Sequence, residues 1–250
     1  MRINLMVLTW RQRMMGVIFC LVTAALLAGT AMLDASRKAS AAQGQPDVVI
    51  VGDCLTGGNG NYIGATLRNA GLDVRVEGLS SRRIAVSFDF LGHRDSGVER
   101  VRSLKAAGVS PALWVIQLGT NDLGAIDDCG CPDPVAYAGS IIDQLLDEIG
   151  SDVPIAWVTV ANRNQWDASR WFNAAITIRA ARDPHIALIR WNELSASRPD
   201  WFFDHVHQNS TGVRVFTQMY IDRISALLAT PLGPRPPGPG LAAAMRLGPS

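Results

Sequence analysis

The stretch DVVIVGDCLTGGNG, from Asp47 to Gly60, decides the fold. Val48, Val49, Ile50 and Val51 are β-branched and unbroken by any polar residue. That pattern predicts a strand buried on both faces of a sheet. Gly52 then lets the backbone turn sharply, and Asp53 and Cys54 follow at the strand's carboxyl end. In open parallel α/β sheets that end is where ligands bind. A thiol delivered there marks an active-site edge, provided later strands bring complementary groups to the same edge.

Outward from this stretch, the chain alternates between the two periodicities. A helix is predicted over Asn59 to Ala70 and a strand over Leu72 to Glu77, closed by Gly78-Leu79-Ser80-Ser81-Arg82-Arg83. A helix over Ser96 to Ala107 stops at Gly108, and a strand over Ala112 to Leu118 ends in Gly119-Thr120-Asn121-Asp122. Leu123 to Asp133 reads as a polar loop. Pro134 opens a helix to Ile149 with Ile141, Ile142, Leu145 and Leu146 on one face. A strand over Pro154 to Val160, a helix over Trp166 to Ala181, a strand over Ile186 to Trp191 and a closing amphipathic helix over Asn209 to Leu228 follow. Strands alternating with helices imply a parallel sheet covered on both faces. Parallel strands point their carboxyl ends one way, so Cys54, Ser81, Arg82, Asn121 and the segment after strand five converge on one rim.

Composition narrows the class. With 48% apolar and 18% charged residues in 250, the chain has the makings of one substantial core. A formal charge of +1 gives no footprint for nucleic acid. The four cysteines are too few for a disulfide-built scaffold, and Cys129-Gly130-Cys131 lacks the second pair that a zinc site needs. Arg2, Arg11 and Arg13 precede an uncharged apolar stretch from Met14 to Leu33, the pattern of an export signal. Small residues around Ala35 to Ala42 permit cleavage, yet the stretch is also about the 20 residues that span a bilayer. Residues 1–43 are therefore expected to be a signal peptide or membrane anchor with a linker, 44–229 the folded domain, and 230–250 a disordered Pro/Gly-rich tail.

The segment after strand five reads Asp204-His205-Val206-His207, leading into Gln208-Asn209-Ser210-Thr211-Gly212. With it, the chain resembles the GDSL, or SGNH, hydrolases over roughly Asp47 to Leu228. Gly52-Asp53-Cys54-Leu55 stands where that family has its nucleophile block, with Cys54 in place of serine. Gly119-Thr120-Asn121-Asp122 matches the block whose Asn supplies an oxyanion-hole side chain. Asp204-x-x-His207 matches the block of the general base and the acid that orients it. Ser81 takes the place of a glycine whose backbone N–H binds the oxyanion. The resemblance implies a three-layer, flavodoxin-like α/β fold with a five-stranded parallel sheet, and a hydrolase of ester bonds in lipids, glycans or small acyl esters; the N-terminal segment adds the expectation of export, and the chain is expected to act as a monomer. The resemblance implies no cofactor and no metal, and contact with the membrane only through the N-terminal segment. The alternatives are an impaired domain that binds a cell-envelope glycan or ester, and an O-acyltransferase.

Such chemistry needs a nucleophile, a base, an orienting acid and donors for the oxyanion. Each residue also has a plainer reading. Cys54 can be a small buried hydrophobe, His207 and Asp204 ordinary loop residues, Asn121 a cap, and Asp53 an acceptor for turn N–H groups. Arg82 and Arg83 form either a solvated pair or a contact for an anionic substrate, with Arg82 the substrate-binding candidate. Cys129 and Cys131 either close a local ring or leave one partner for Cys54.

Overall fold

A computed structural model of the chain describes residues 45–89, 92–151 and 153–230. The expected export segment and the Pro/Gly-rich tail from Pro231 onward lie outside the described residues.

Five parallel strands form the central sheet: β1 (Val48–Gly52), β2 (Val74–Gly78), β5 (Leu113–Gln117), β6 (Ile155–Val158) and β7 (Ile186–Ile189), in the order β2-β1-β5-β6-β7. A separate two-stranded antiparallel piece, β3 (Phe88–Asp89) with β4 (His93–Arg94), sits in the connection after β2. The flavodoxin-like order follows from the alternation, because each right-handed crossover lays its helix on one face or the other. β1 is central and fully buried along its length.

The alternation along β1 splits the core in two. Val48 and Ile50 face one layer, which holds Ile63 and Leu67 of α2 (Gly60–Asn69) and Phe216, Tyr220 and Ile224 of α8 (Ser210–Ala229). Val49 and Val51 face the other. There, Val101 and Leu104 of α3 (Gly97–Ala106) meet Ile142 and Leu145 of α5 (Pro134–Ile149) and Phe172 and Ile176 of α6 (Trp166–Arg182). The period of two in a strand, set between two helical layers, makes an unbroken β-branched run the fitting sequence. Helix starts follow local chemistry. Ser96 and Glu99 form a capping box on α3, and Asp133 accepts from Ala136 N–H at 2.9 Å ahead of Pro134.

Several short helical pieces escape the sequence reading. Cys54–Gly57 is a helical turn, α1, and Trp191–Ser195 another, α7. The stretch expected to be a polar loop from Leu123 begins instead with α4 (Leu123–Asp127), whose Leu123 and Ile126 are fully buried. A 3-10 turn, Pro199–Trp201, precedes the last loop. Two apolar residues three apart are too weak a period to register against the surrounding Gly and Asp. Among the described residues no helix is long and apolar enough to cross a membrane.

Trp191 anchors the end of the sheet that carries the last loop. Its ring stacks on Trp201 at 5.9 Å, meets Phe216 edge-on at 4.9 Å and lies 5.8 Å from Phe202. Replacing Trp191 with Ala is expected to cost roughly 3–5 kcal/mol, the range for a large buried aromatic. Urea denaturation measures it. Faster hydrogen exchange at Phe203 and Asn209 than elsewhere should accompany the loss; unchanged exchange there would show that the cluster does not hold the loop.

Candidate active site

Gly52 pairs with Gly78 on one side and Gln117 on the other, so three strands end at one level. Beyond that level the backbones are tied together. Asp53 N–H donates to Gln117 O at 3.2 Å, and Leu79 N–H donates to Gly52 O at 3.1 Å. The approach leaves no room for side chains. A Cβ on Gly52 would lie 2.3 Å from Thr56 Oγ1, and one on Gly78 would lie 2.4 Å from Gly57 N. Thr56 in turn donates its hydroxyl to Gln117 Oε1 at 2.8 Å. Asp53 caps the turn that follows, its Oδ1 accepting from Leu55 N–H at 3.0 Å. Cys54 is thereby fixed two residues beyond the end of β1, at the start of the turn that Asp53 caps, half-buried with a free thiol.

Across the rim, the loop before α8 presents His207. Its Nε2 lies 3.3 Å from Cys54 Sγ, and its Nδ1 lies 2.9 Å from Asp204 Oδ2. Asp204 is itself held in place, because its Oδ1 accepts from Val206 N–H at 2.7 Å and His207 N–H at 2.6 Å. The loop is pinched by Phe203 N–H on His207 O at 2.9 Å and Asn209 N–H on Trp201 O at 2.9 Å. Asn209 also caps α8, accepting from Thr211 and Gly212 N–H. Residues 153 apart in sequence meet as thiol, imidazole and carboxylate in line.

Ser81 has φ +65°, the single non-glycine residue with positive φ among those described. Left-handed backbone costs an L-residue roughly 1–2 kcal/mol, which is why glycine is usual there. The conformation brings Ser81 N–H near Cys54 Sγ, close enough to favour the thiolate. Asn121 lies in the 3-10 turn Thr120–Asp122. Its Nδ2 donates to Arg82 O at 3.2 Å, which fixes the amide and leaves its second hydrogen for a ligand.

Arg82 is not a substrate contact. Its side chain is 4% exposed, paired with Asp95 Oδ1 at 2.8 Å and donating to Gly52 O at 3.0 Å and to Glu77 O. It braces the ends of β1 and β2 from behind. Arg83 faces the rim instead. Cys129 and Cys131 close a local disulfide, leaving Cys54 unbridged. Among the described residues no group of His, Cys, Asp and Glu has the arrangement of a metal site.

The electrostatics favour a neutral resting thiol. Burial pushes Cys54 up to about 12, and the charge of Asp53 adds to it, against the pull of the N–H groups of Cys54, Ser81 and Leu55. Burial also acts on Asp204, but the hydrogen bonds from the His207 ring and from the N–H groups of His207 and Val206 outweigh it and hold the carboxyl near 2. Beneath the site lie two buried carboxyls that the sequence reading gave no catalytic part. Burial raises Asp53 to about 6, opposed by Leu55 N–H, Gln117, Thr120 and the charge on His207. Burial raises Asp122 to about 7, opposed by Ile84 N–H and Arg83 and assisted by the charge on Asp53. No sequence pattern announces such a pair, because Asp in a turn motif looks the same exposed or buried.

No protein-family profile matches the chain, and no curated protein matches its sequence. Solved structures do, over most of the described region. The C-terminal catalytic domain of peptidoglycan O-acetyltransferase A from Streptococcus pneumoniae, solved with a methylsulfonyl adduct, is 15% identical with a TM-score of 0.54. The match covers 74% of this chain and 93% of that one. A member of the lipolytic G-D-S-L family from Veillonella parvula is 15% identical at a TM-score of 0.53, over 72% of this chain and 98% of its own. An aryl esterase of M. smegmatis, in an inhibitor-bound form, is 15% identical at 0.50, over 72% and 98%.

Ser81→Gly is expected to stabilise the fold by about 0.5–1 kcal/mol, the backbone strain relieved less the extra freedom that glycine gives the unfolded chain. A lower urea midpoint would show that the serine side chain outweighs that strain. Asp122→Asn tests the buried acid. A carboxyl whose folded pKa is raised leaves the folded state holding a proton that the unfolded state has lost. Wild-type stability therefore declines, relative to the Asn variant, as pH climbs from about 4 to about 7 and then levels off. Between pH 4 and pH 8 the difference between the two proteins should change by on the order of a few kcal/mol. A gap independent of pH would show that Asp122 ionises freely.

Proposed function

We propose, for a chain with the three-layer fold of the GDSL and SGNH esterases, that it is an acyl-transfer enzyme that cleaves ester bonds through Cys54, with His207 as base and Asp204 as its orienting acid. The observation that carries this reading is the 3.3 Å approach of His207 Nε2 to Cys54 Sγ, with Nδ1 simultaneously on Asp204. A thiol that merely fills the core has no use for an imidazole held by a carboxylate. Export through the N-terminal segment, and ester or acetyl groups of glycans, lipids or small esters as substrates, belong to the same proposal.

The chemistry follows from the distances. Sγ attacks the ester carbonyl carbon while His207 Nε2 takes the thiol proton. The thiol is neutral at rest, so proton removal accompanies attack, as for a hydroxyl nucleophile, rather than preceding it. The carbonyl oxygen becomes an oxyanion facing the N–H groups of Ser81 and Cys54 and the amide of Asn121. Collapse breaks the bond to the alcohol oxygen, which leaves with the proton from His207. The S-acyl enzyme is then attacked by water, or by an acceptor hydroxyl, whose proton passes to His207, and the thiol is released. Asp204 stays ionised throughout and holds the imidazole tautomer that keeps Nε2 free to accept.

Turnover of a 4-nitrophenyl ester by the purified chain tests the proposal. Cys54→Ala and His207→Ala should abolish it, Asn121→Ala should lose on the order of a hundredfold in kcat, and Cys54→Ser should retain hydrolysis. Only wild type should accumulate an S-acyl adduct, seen as a mass increase. Its alkylation by iodoacetamide should be slow at pH 7 and climb with pH to beyond pH 10, as a raised thiol requires. Activity unchanged in Cys54→Ala would place the reaction elsewhere. Activity confined to Cys54→Ser would mean that wild type binds its ester without turning it over.

A further inference from the structure

We propose that Arg83 is a specificity-determining residue that receives a carboxylate on the substrate, so that the preferred ester carries a negative charge a few atoms from the bond that breaks. The inference rests on the ester-cleaving reading above and names the substrate class for that site.

A depression of about 330 Å³ opens beside the oxyanion donors and is lined by Ser81, Arg83, Val86, Phe88 and Asn121. Two of those five are the residues whose N–H groups would face the oxyanion, so a molecule with its carbonyl at Cys54 extends naturally into the depression. Val86 is 52% exposed, and Phe88 is half-buried. They offer apolar surface to a short carbon chain. Among the described residues lining the depression, Arg83 alone is charged.

Its guanidinium is both held and unspent. Nε donates to Asn121 O at 2.9 Å, which fixes the plane of the group beside the oxyanion residue. Arg83 forms no ion pair with the acids described around it. Arg82, next to it in sequence, differs in this respect, being committed to Asp95, and Arg100 and Arg75 pair with Glu77. With Nε occupied, the two terminal nitrogens remain as a fork of donors, the arrangement that takes both oxygens of a carboxylate. Asp122, the nearest buried acid to feel Arg83, bonds to Ile84 N–H at 3.2 and 3.3 Å and does not form a salt bridge with it. One guanidinium balances one negative charge, which suits a carboxylate better than a phosphate dianion.

The test compares two esters of one carbon chain, long enough that the free carboxylate does not cyclise readily onto the ester: 4-nitrophenyl hydrogen adipate, which is anionic at pH 7, and 4-nitrophenyl methyl adipate, which is neutral, each rate corrected for turnover without enzyme. The full chain is expected to prefer the anion in kcat/KM by on the order of tenfold or more. Arg83→Gln should bring the ratio close to one, and Arg83→Lys should restore part of it, since the charge returns without the fork. If Arg83 only steadied Asn121, both esters would slow together and the ratio would stand, which overturns the proposal. If neither ester turns over, protection of Cys54 from iodoacetamide decides. Monomethyl adipate should protect wild type well beyond dimethyl adipate, and Arg83→Gln should erase the difference. That result keeps the carboxylate site while the ester-cleaving reading fails; equal protection in both proteins removes the site.

Discussion

The level register of three parallel strand ends is the constraint on which the site depends. Gly52, Gly78 and Gln117 stand side by side across β2, β1 and β5. Cys54, Ser81 and Asn121 therefore leave the sheet within a few residues of a common line. Two glycines permit the backbones to touch there, and Arg82 ties the carbonyls of Gly52 and Glu77 together from beneath. A one-residue slip of β1 would send every side chain of that strand into the opposite layer, so the core's two halves lock the register that the rim requires.

On this rigid edge the chemistry is assembled from opposing tendencies. The same burial that positions Cys54 suppresses its ionisation, and the acid that caps its turn, Asp53, adds a negative charge directly behind the thiol. A thiol so placed depends on a base at hand, and in the proposed mechanism that base is His207, 3.3 Å from Cys54 Sγ. Ser81 shows the same tension in the backbone. It adopts a conformation suited to glycine, and what it delivers is an N–H directed toward the nucleophile. Strain kept at one position and buried carboxyls kept beneath another are common where a scaffold serves a reactive site.

The loop carrying Asp204 and His207 depends on a different support. No strand register holds it. It is clamped by the aromatic group around Trp191 and by Asn209, which caps α8 while donating through Nδ2 to Asp200 O at 2.7 Å. The close approach of Gly212 to Trp201 O, 2.2 Å for any Cβ placed there, seats the helix against the loop. His207 is thus positioned by aromatic packing and helix capping, whereas Cys54 is positioned by its own strand and turn.

The sequence by itself determined the layered sheet, because an unbroken Val-Val-Ile-Val run and regular alternation leave few other ways to bury so much apolar surface. It also brought Cys54, Ser81, Asn121 and the segment after strand five to one edge, since parallel strands place all their carboxyl ends there; the resemblance to the GDSL hydrolases then singled out Asp204 and His207 within that segment. Only the tertiary structure decided between Arg82 and Arg83. Two adjacent arginines are indistinguishable in a string of letters, and which of them turns inward depends on Asp95 and on carbonyls 5 and 30 residues away. The pairing of Cys129 with Cys131, the short helix at Leu123 and the burial of Asp53 and Asp122 were hidden for the same reason. Local pattern specifies which way a strand's side chains alternate, but the environment of a turn residue is set by what other segments bring against it.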